Sequence, residues 1–252
     1  MSIAIDTKDD QRARPRSRYR PPTNWSKTSA RTLLDGTARE LAGPAQLNLL
    51  TRLSKSEDAK DIPVFVAGDT SLLRRTCVSV IGTRRVSQEG AARARRLARG
   101  LVDAGIVVTS GLAEGVDIEA MRAAVAHGGK TIGVIGTPLD KAYPAKHGPF
   151  QESVYTEHLL VSQFPQGSQT FPSNFPARNR LMCMLSDASI VIEASDTSGT
   201  LHQAAECVKL SRWLFIARSV IDDTTLSWPS KFRSYEKCVV LDRIEDVTER
   251  LR

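Results

Sequence analysis

Histidine and cysteine are scarce, at four each in 252 residues. Cys77, Cys183, Cys207 and Cys238 form no CxxC pair, so neither a zinc site nor a disulfide framework is indicated. His127, His147, His158 and His202 stand at no ligand spacing and form no Ser-His-Asp order. No metal, no cofactor and no catalytic residue is therefore expected. Three of the cysteines sit in apolar runs and read as buried thiols, which points to a reducing, cytoplasmic compartment. No apolar run approaches the roughly 20 residues of a membrane helix. The N-terminal stretch MSIAIDTKDDQRARPRSRYRPP has no apolar core, so no secretory signal is expected.

Positive charge is what the chain has in excess. The net charge is +7, which favours a polyanionic partner. Residues 74–100 carry eight arginines against one acid, Glu89. Arg84 and Arg85 fall in a loop that precedes a helix, rather than on the helix face. Hydrophobic residues make up 41% of the chain, enough for a real core.

Residues 1–28 are basic, proline-containing and without periodicity, and read as a mostly disordered arm. Residues 29–61 read as a helical segment of two short helices, broken near Gly43-Pro44 and followed by a loop. A strand is expected at 62–68. From Thr76 strands and helices alternate, with strands near 77–81, 106–109, 131–135, 159–162, 188–193 and 213–217. The helix between the first two is capped by Ser87 and carries Gly90, Ala94, Leu97, Ala98 and Leu101 on one face. A helix is expected at 178–185, and another at 200–210. Residues 62–220 then form an α/β core, and 221–252 an extension with a strand at 238–241 and a short helix at 243–251. This rhythm predicts a doubly wound, mostly parallel Rossmann-like sheet with a small helical N-terminal appendage. The loops 82–87, 110–117, 136–144, 163–180 and 195–200 all follow strands, so they should share one edge.

Those loops carry the chemistry. Gly82-Thr83-Arg84 leads into a helix N-terminus, where unpaired N–H groups attract anions. Gly82 would let a phosphate approach the backbone, and Arg84 and Arg85 would supply charge. Ser110-Gly111 opens the loop SGLAEGVD, whose Asp117 reads either as a first-turn acid or, with Glu114, as a base. Ser198-Gly199-Thr200 begins another helix and suits a phosphate nest. The run FPSNFPARNRLM sets Arg178, Asn179 and Arg180 beside Phe171 and Phe175. Its arginine forks suit phosphate, and its rings offer faces to a base. NAD chemistry is disfavoured, because no G-x-G-x-x-G occurs and Thr109-Ser110 replaces the acid that would hold a ribose.

Five blocks in order carry a resemblance. They are SVIGTRRVSQEG, SGLAEGVDIEA, TIGVIGTPLDKAYP, VSQFPQGSQTFPSNFPARNRLMCMLS and VIEASDTSGTLHQAAECV, within residues 62–217. Together they resemble the DprA/Smf family of DNA-processing proteins. Thr83 stands where serine is usual, and Gln163 where glutamate is usual. Ala217-Arg218-Ser219-Val220 replaces a V-P-G ending, the N-terminal helical domain is abbreviated, and residues 218–252 are too short for the family's winged-helix tail. The resemblance implies a homodimer that binds single-stranded DNA and loads RecA on it during transformation. The departures leave a defence or mobile-element setting open. By motif, Arg84 would grip a backbone phosphate. Gly167, Ser168, Arg178, Asn179 and Arg180 would complete the pocket, with Phe171 or Phe175 near a base. Two other readings use the same pocket. One is a LOG-like nucleotide phosphoribohydrolase with Glu114 or Glu193 as its acid, and the other is a sensor of a nucleotide-derived small ligand.

Overall fold

The computed structural model describes residues 19–37, 39 and 62–251. Most of the second expected helix and the break at Gly43-Pro44 lie outside the described residues. The strands are β1 (Ser26–Ser29), β2 (Pro63–Gly68), β3 (Cys77–Ile81), β4 (Val107–Ser110), β5 (Thr131–Ile135), β6 (Leu159–Ser162), β7 (Ala188–Val191), β8 (Trp213–Ala217) and β9 (Cys238–Leu241). The helices are α1 (Ala30–Leu34), α2 (Gln88–Asp103), α3 (Val116–Ala126), α4 (Gly148–Glu157), α5 (Asn174–Met184), α6 (Thr200–Lys209), α7 (Arg218–Ile221) and α8 (Glu245–Thr248).

All nine strands form one sheet, in the order β1-β2-β6-β5-β4-β3-β7-β8-β9. From β6 to β9 every neighbouring pair is parallel, while β1 and β2 run antiparallel at one edge. The expected mostly parallel, doubly wound sheet is what the chain forms. Strand order reverses at β3. From there the chain winds outward through β4, β5 and β6, and then returns to place β7 on the other side of β3. A crevice opens at such a point, outside the carboxyl ends of the strands.

The strands are buried on both faces, as parallel strands between helices must be. Cys77 and Ile81 of β3 pack with α5 and α6 through Leu181, Met182, Ala204 and Cys207. Val78 and Val80 point the other way, toward Ala94, Ala98 and Leu101 of α2 and Val116 and Ala120 of α3. The stripe expected on α2 is therefore its buried face, with Ser87 capping the helix through Gly90 N–H at 2.9 Å.

Two expectations change here. Residues 19–28, read as part of a disordered arm, are built into the fold. Tyr19 donates to Leu139 O at 2.7 Å and accepts from Gln151 Nε2 at 2.8 Å, and Ser26–Ser29 pairs with β2. The strand is four residues long, reads SKTS and carries no apolar residue, so no hydrophobic pattern marks it in the sequence. Helix α5 begins at Asn174 rather than near 178. Pro176 lies in its first turn, where the missing N–H has no helical acceptor in any case. The earlier start places Phe175 and Arg178 on a helix instead of in a loop.

Candidate nucleic-acid interface

The strand-end loops do gather on one edge, and two adjoining cavities open among them. The smaller, about 120 Å³, lies between the loops after β4 and β5, with Glu114, Tyr143 and Phe175 in its walls. The larger, about 290 Å³, lies at the reversal point between the loops after β3 and β7. It is lined by Thr83, Asn179, Ser198, Gly199 and Thr200, among others. Arg84, Ala113, Phe175 and Arg178 line both.

Arg84 is exposed and forms no ion pair among the described residues. Its guanidinium lies 5.4 Å from the centre of the Phe175 ring, a cation–π contact. Phe175 in turn lies 5.5 Å from the Tyr143 ring, which is exposed. A Cβ at Gly136 would come within 2.8 Å of Phe175, so that glycine makes room for the ring. Arg84, Phe175 and Tyr143 thus form a continuous cationic and aromatic surface between the cavities. Tyr143 was not singled out from the sequence, although the block TIGVIGTPLDKAYP contains it.

Arg178 lines both cavities but is held by the protein's own acceptors. It is only 5% exposed. Nη1 donates to Gly111 O at 2.6 Å and to Val134 O at 3.0 Å, and Nε donates to Asn179 Oδ1 at 2.9 Å. Asp117, equally buried, accepts from Gly111 N–H at 3.0 Å. The Gly111 peptide therefore bridges a buried cation and a buried carboxylate. Burial pushes the Asp117 carboxyl up, against the pull of Arg178 and of the N–H groups of Gly111 and Ala113. A Cβ at Gly111 would overlap Arg178 Nη1 at 1.8 Å. Arg178 is thus mainly a strut across the ends of β4 and β5, and Asp117 is its counter-charge.

The N-terminus of α2 is likewise engaged. Its expected anion is supplied by the protein itself. Glu193 accepts from Ser87 N–H at 2.9 Å and from Ser87 Oγ at 2.6 Å, and its carboxylate lies 3.5 Å from Arg93. Thr83 N–H donates to Glu193 O at 2.7 Å. A Cβ at Gly82 would meet Val116 at 2.5 Å and Glu193 O at 2.7 Å, so packing against α3 requires this glycine. Ser110 is fully buried and donates to Val80 O at 2.7 Å, beneath the site rather than in it.

Ser198, Gly199 and Thr200 lie at the start of α6, across the larger cavity from Thr83. Asn179 ties them to α5 through a 3.5 Å contact from Nδ2 to Gly199 O. The chain extension holds this loop from outside. Asp196 accepts from Trp228 N–H at 2.9 Å and from Ser227 N–H at 3.1 Å, while Trp228 Nε1 donates to Ala194 O at 3.2 Å. These donors, Ser227 N–H foremost, hold the Asp196 carboxyl below its usual range.

Six of the sequence-chosen residues line neither cavity. Arg85 is exposed beside Arg84, and Arg180 points outward to Glu206 at 3.8 Å. Gly167 and Ser168 lie on the rim, tied to Asp140 and Lys141 at 2.9 and 2.8 Å. Phe171 is 54% exposed on the same rim, and Ser110 is the buried residue described above. Glu114 reaches the smaller cavity with its carboxylate 2.5 Å from Lys146, which holds it below the ordinary carboxylate range. Among the described residues no group of three or more His, Cys, Asp or Glu is arranged to hold a metal ion. Nor, among them, is any helix long and apolar enough to cross a membrane.

Two buried histidines lie at opposite edges of the sheet, His147 beneath this one and His158 just before β6 at the other. His147 Nδ1 donates to Leu112 O at 2.8 Å, under the loop after β4, and His158 has no hydrogen-bond partner for either ring nitrogen among the described residues. Burial lowers both pKa values. The unfolded chain then binds more protons below the ordinary value of about 6.5. Stability is complete above that pH and falls as the pH drops through the depressed folded values. Melting curves from pH 7.5 to 5.5 should show a falling Tm, and His158→Gln should flatten the decline. A pH-independent Tm across that range would contradict this.

A sheet wound both ways from β3, with an arginine, aromatic rings and hydroxyls around a strand-end cleft, defines a Rossmann-like binding domain. The sequence profile of DNA recombination-mediator protein A matches residues 49–252, and the chain belongs to that family. It is 39% identical over 165 residues to DNA processing protein DprA of Streptococcus pneumoniae, covering 64% of this chain and 58% of that one. It is 38% identical over 138 residues to protein Smf of Synechocystis, covering 55% and 35%. The matched region thus spans 58% or less of these two curated relatives' own length. The crystal structure of S. pneumoniae DprA superimposes with a TM-score of 0.72 at 30% identity, over 91% of this chain and 75% of that one. A Helicobacter pylori DNA processing protein A superimposes with 0.69 at 25% identity, over 90% and 95%. That structure is described as giving insight into a single-stranded DNA binding mode.

Proposed function

We propose that this chain binds single-stranded DNA in the strand-end cleft and acts as a DNA-processing, recombination-mediating protein. The observation that carries the proposal is Arg84, an exposed guanidinium over the Phe175 ring and at the join of the two cavities. A phosphate on that fork brings its own sugar and base against the neighbouring rings and hydroxyls. Thr83, Asn179, Ser198, Gly199 and Thr200 contribute from the larger cavity, and Tyr143 and Phe175 from the smaller. Arg178 shapes the floor. Arg85, Phe171 and Arg180 stand where a strand leaving the cleft would pass.

In this reading the protein works by binding, without a cofactor, in the cytoplasm, as a homodimer that delivers the strand to RecA. Binding is favoured over hydrolysis because both candidate acids are engaged. Glu193 caps α2, and Glu114 is paired with Lys146 and held in its ionised form. The test compares single-stranded DNA, duplex DNA and a mononucleotide at two salt concentrations. Single strands should bind tightest, with an affinity that falls as salt rises. Equal affinity for a mononucleotide would instead favour a nucleotide sensor. Release of free base, abolished in Glu114→Gln, would favour the hydrolase.

A further inference from the structure

We infer that the cleft is built for two consecutive nucleotides of one strand, with a base in the smaller cavity and the neighbouring nucleoside in the larger. This rests on the reading of the cleft as a single-stranded DNA site. The two cavities are not one room with two names. They share Arg84, Ala113, Phe175 and Arg178 as a common partition, and each has its own far wall.

The far walls differ in chemistry. In the smaller cavity it is the Tyr143 ring, the Gly136 and Thr137 turn and the Glu114 carboxylate, suited to the face and edge of a base. In the larger it is polar and without a cation of its own: Asn179, Ser198, Thr200, His202 and Gln203, beside the buried Asp117 carboxyl, with Met182 at the floor. Such a wall offers hydroxyl and amide groups to a sugar and an apolar floor to a ring, and it adds no arginine or lysine for a phosphate.

Charge then decides how many phosphates fit. Arg84 and Arg178 are the only arginines or lysines among the described residues lining either cavity. Arg178 is buried and holds Gly111 O, Val134 O and Asn179 Oδ1. That leaves Arg84 as the cation able to meet a phosphate fully, and it lies on the partition. One exposed cation between two rooms that hold no other arginine or lysine open to a ligand matches one phosphodiester with a nucleoside on each side. A mononucleotide fills only one room.

The experiment is competition against a fluorescein-labelled dT12 by thymidine 5′-monophosphate and by the dinucleoside monophosphate dTpdT, using the whole chain. The dinucleotide should compete at least about ten-fold better, although it carries less negative charge. Attraction to the basic surface alone would rank the two the other way. Gly199→Phe extends the test. A Cβ at Gly199 meets nothing within 4 Å and its φ is −60°, so a side chain there fits the helix start and projects into open space. That variant should reduce the dinucleotide's advantage to below about two-fold. Equal competition by the two ligands, or an undiminished advantage in Gly199→Phe, would overturn the two-room assignment while leaving DNA binding intact. If dT12 itself does not bind, the nucleic-acid reading falls, and this one with it.

Discussion

Replacing Arg84 by alanine should weaken binding of single-stranded DNA by about 10- to 150-fold, with little change in stability. A hydrogen bond to a charged group contributes about 1.5–3 kcal/mol, and each 1.4 kcal/mol is about ten-fold in affinity. The side chain is exposed, and its contact with the Phe175 ring is the interaction lost from the folded protein. Surface substitutions of that kind usually stay within about 0.5 kcal/mol. Fluorescence anisotropy across a salt series gives a second readout. Loss of one phosphate contact should reduce the slope of log K against log salt by about 0.7. Arg84→Lys keeps the charge but not the planar fork, and should recover part of the affinity. An Arg84→Ala protein that binds as well as the original would place the phosphate elsewhere.

The opposite result is expected at Asp117. Asp117→Asn removes the negative charge that offsets a buried guanidinium and weakens the acceptor of Gly111 N–H, which should cost about 1–3 kcal/mol. Arg178→Met should destabilise similarly, because Gly111 O and Val134 O lose their donor. Urea unfolding measures both. Because the Gly111 peptide joins the two residues, the double variant should cost clearly less than the sum of the single ones. A loss of DNA affinity by folded, fully stable Arg178→Met would restore Arg178 to the role its sequence context implied. Arg84 and Arg178 thus divide the work. One is expected to act on the ligand, and the other on the frame that presents it.

Much of that frame was legible before folding. Six apolar strands separated by helices predict a parallel sheet, because a strand buried on both faces needs no polar alternation. Glycine-rich segments follow those strands, and parallel strands put such segments on one edge. Hence the clustering of the loops after β3, β4, β5, β6 and β7 could be foreseen, as could Ser87 as a cap. The family resemblance, carried by five ordered blocks, agrees with the profile match over residues 49–252. What the pattern hid was local. The strand Ser26–Ser29 is short and lies beside basic, proline-rich sequence, and the start of α5 is masked by a proline that a first helical turn accepts.

The arginines show where reading a chain stops. Arg84, Arg178 and Arg180 are the same residue type, in motifs of equal promise. Composition and spacing establish that they stand near strand ends, in a chain with net positive charge. They do not establish which guanidinium is free, since that depends on acceptors far away in sequence. Arg178 meets carbonyls of residues 111 and 134, Arg180 faces Glu206, and Arg84 lies over a ring with no ion pair among the described residues. The N-terminus of α2 follows the same logic, because its anion, Glu193, arrives from the end of β7. Local order follows from local sequence. The availability of a charge is decided by long-range packing, which alone brings each donor to its partner or leaves it open to a ligand.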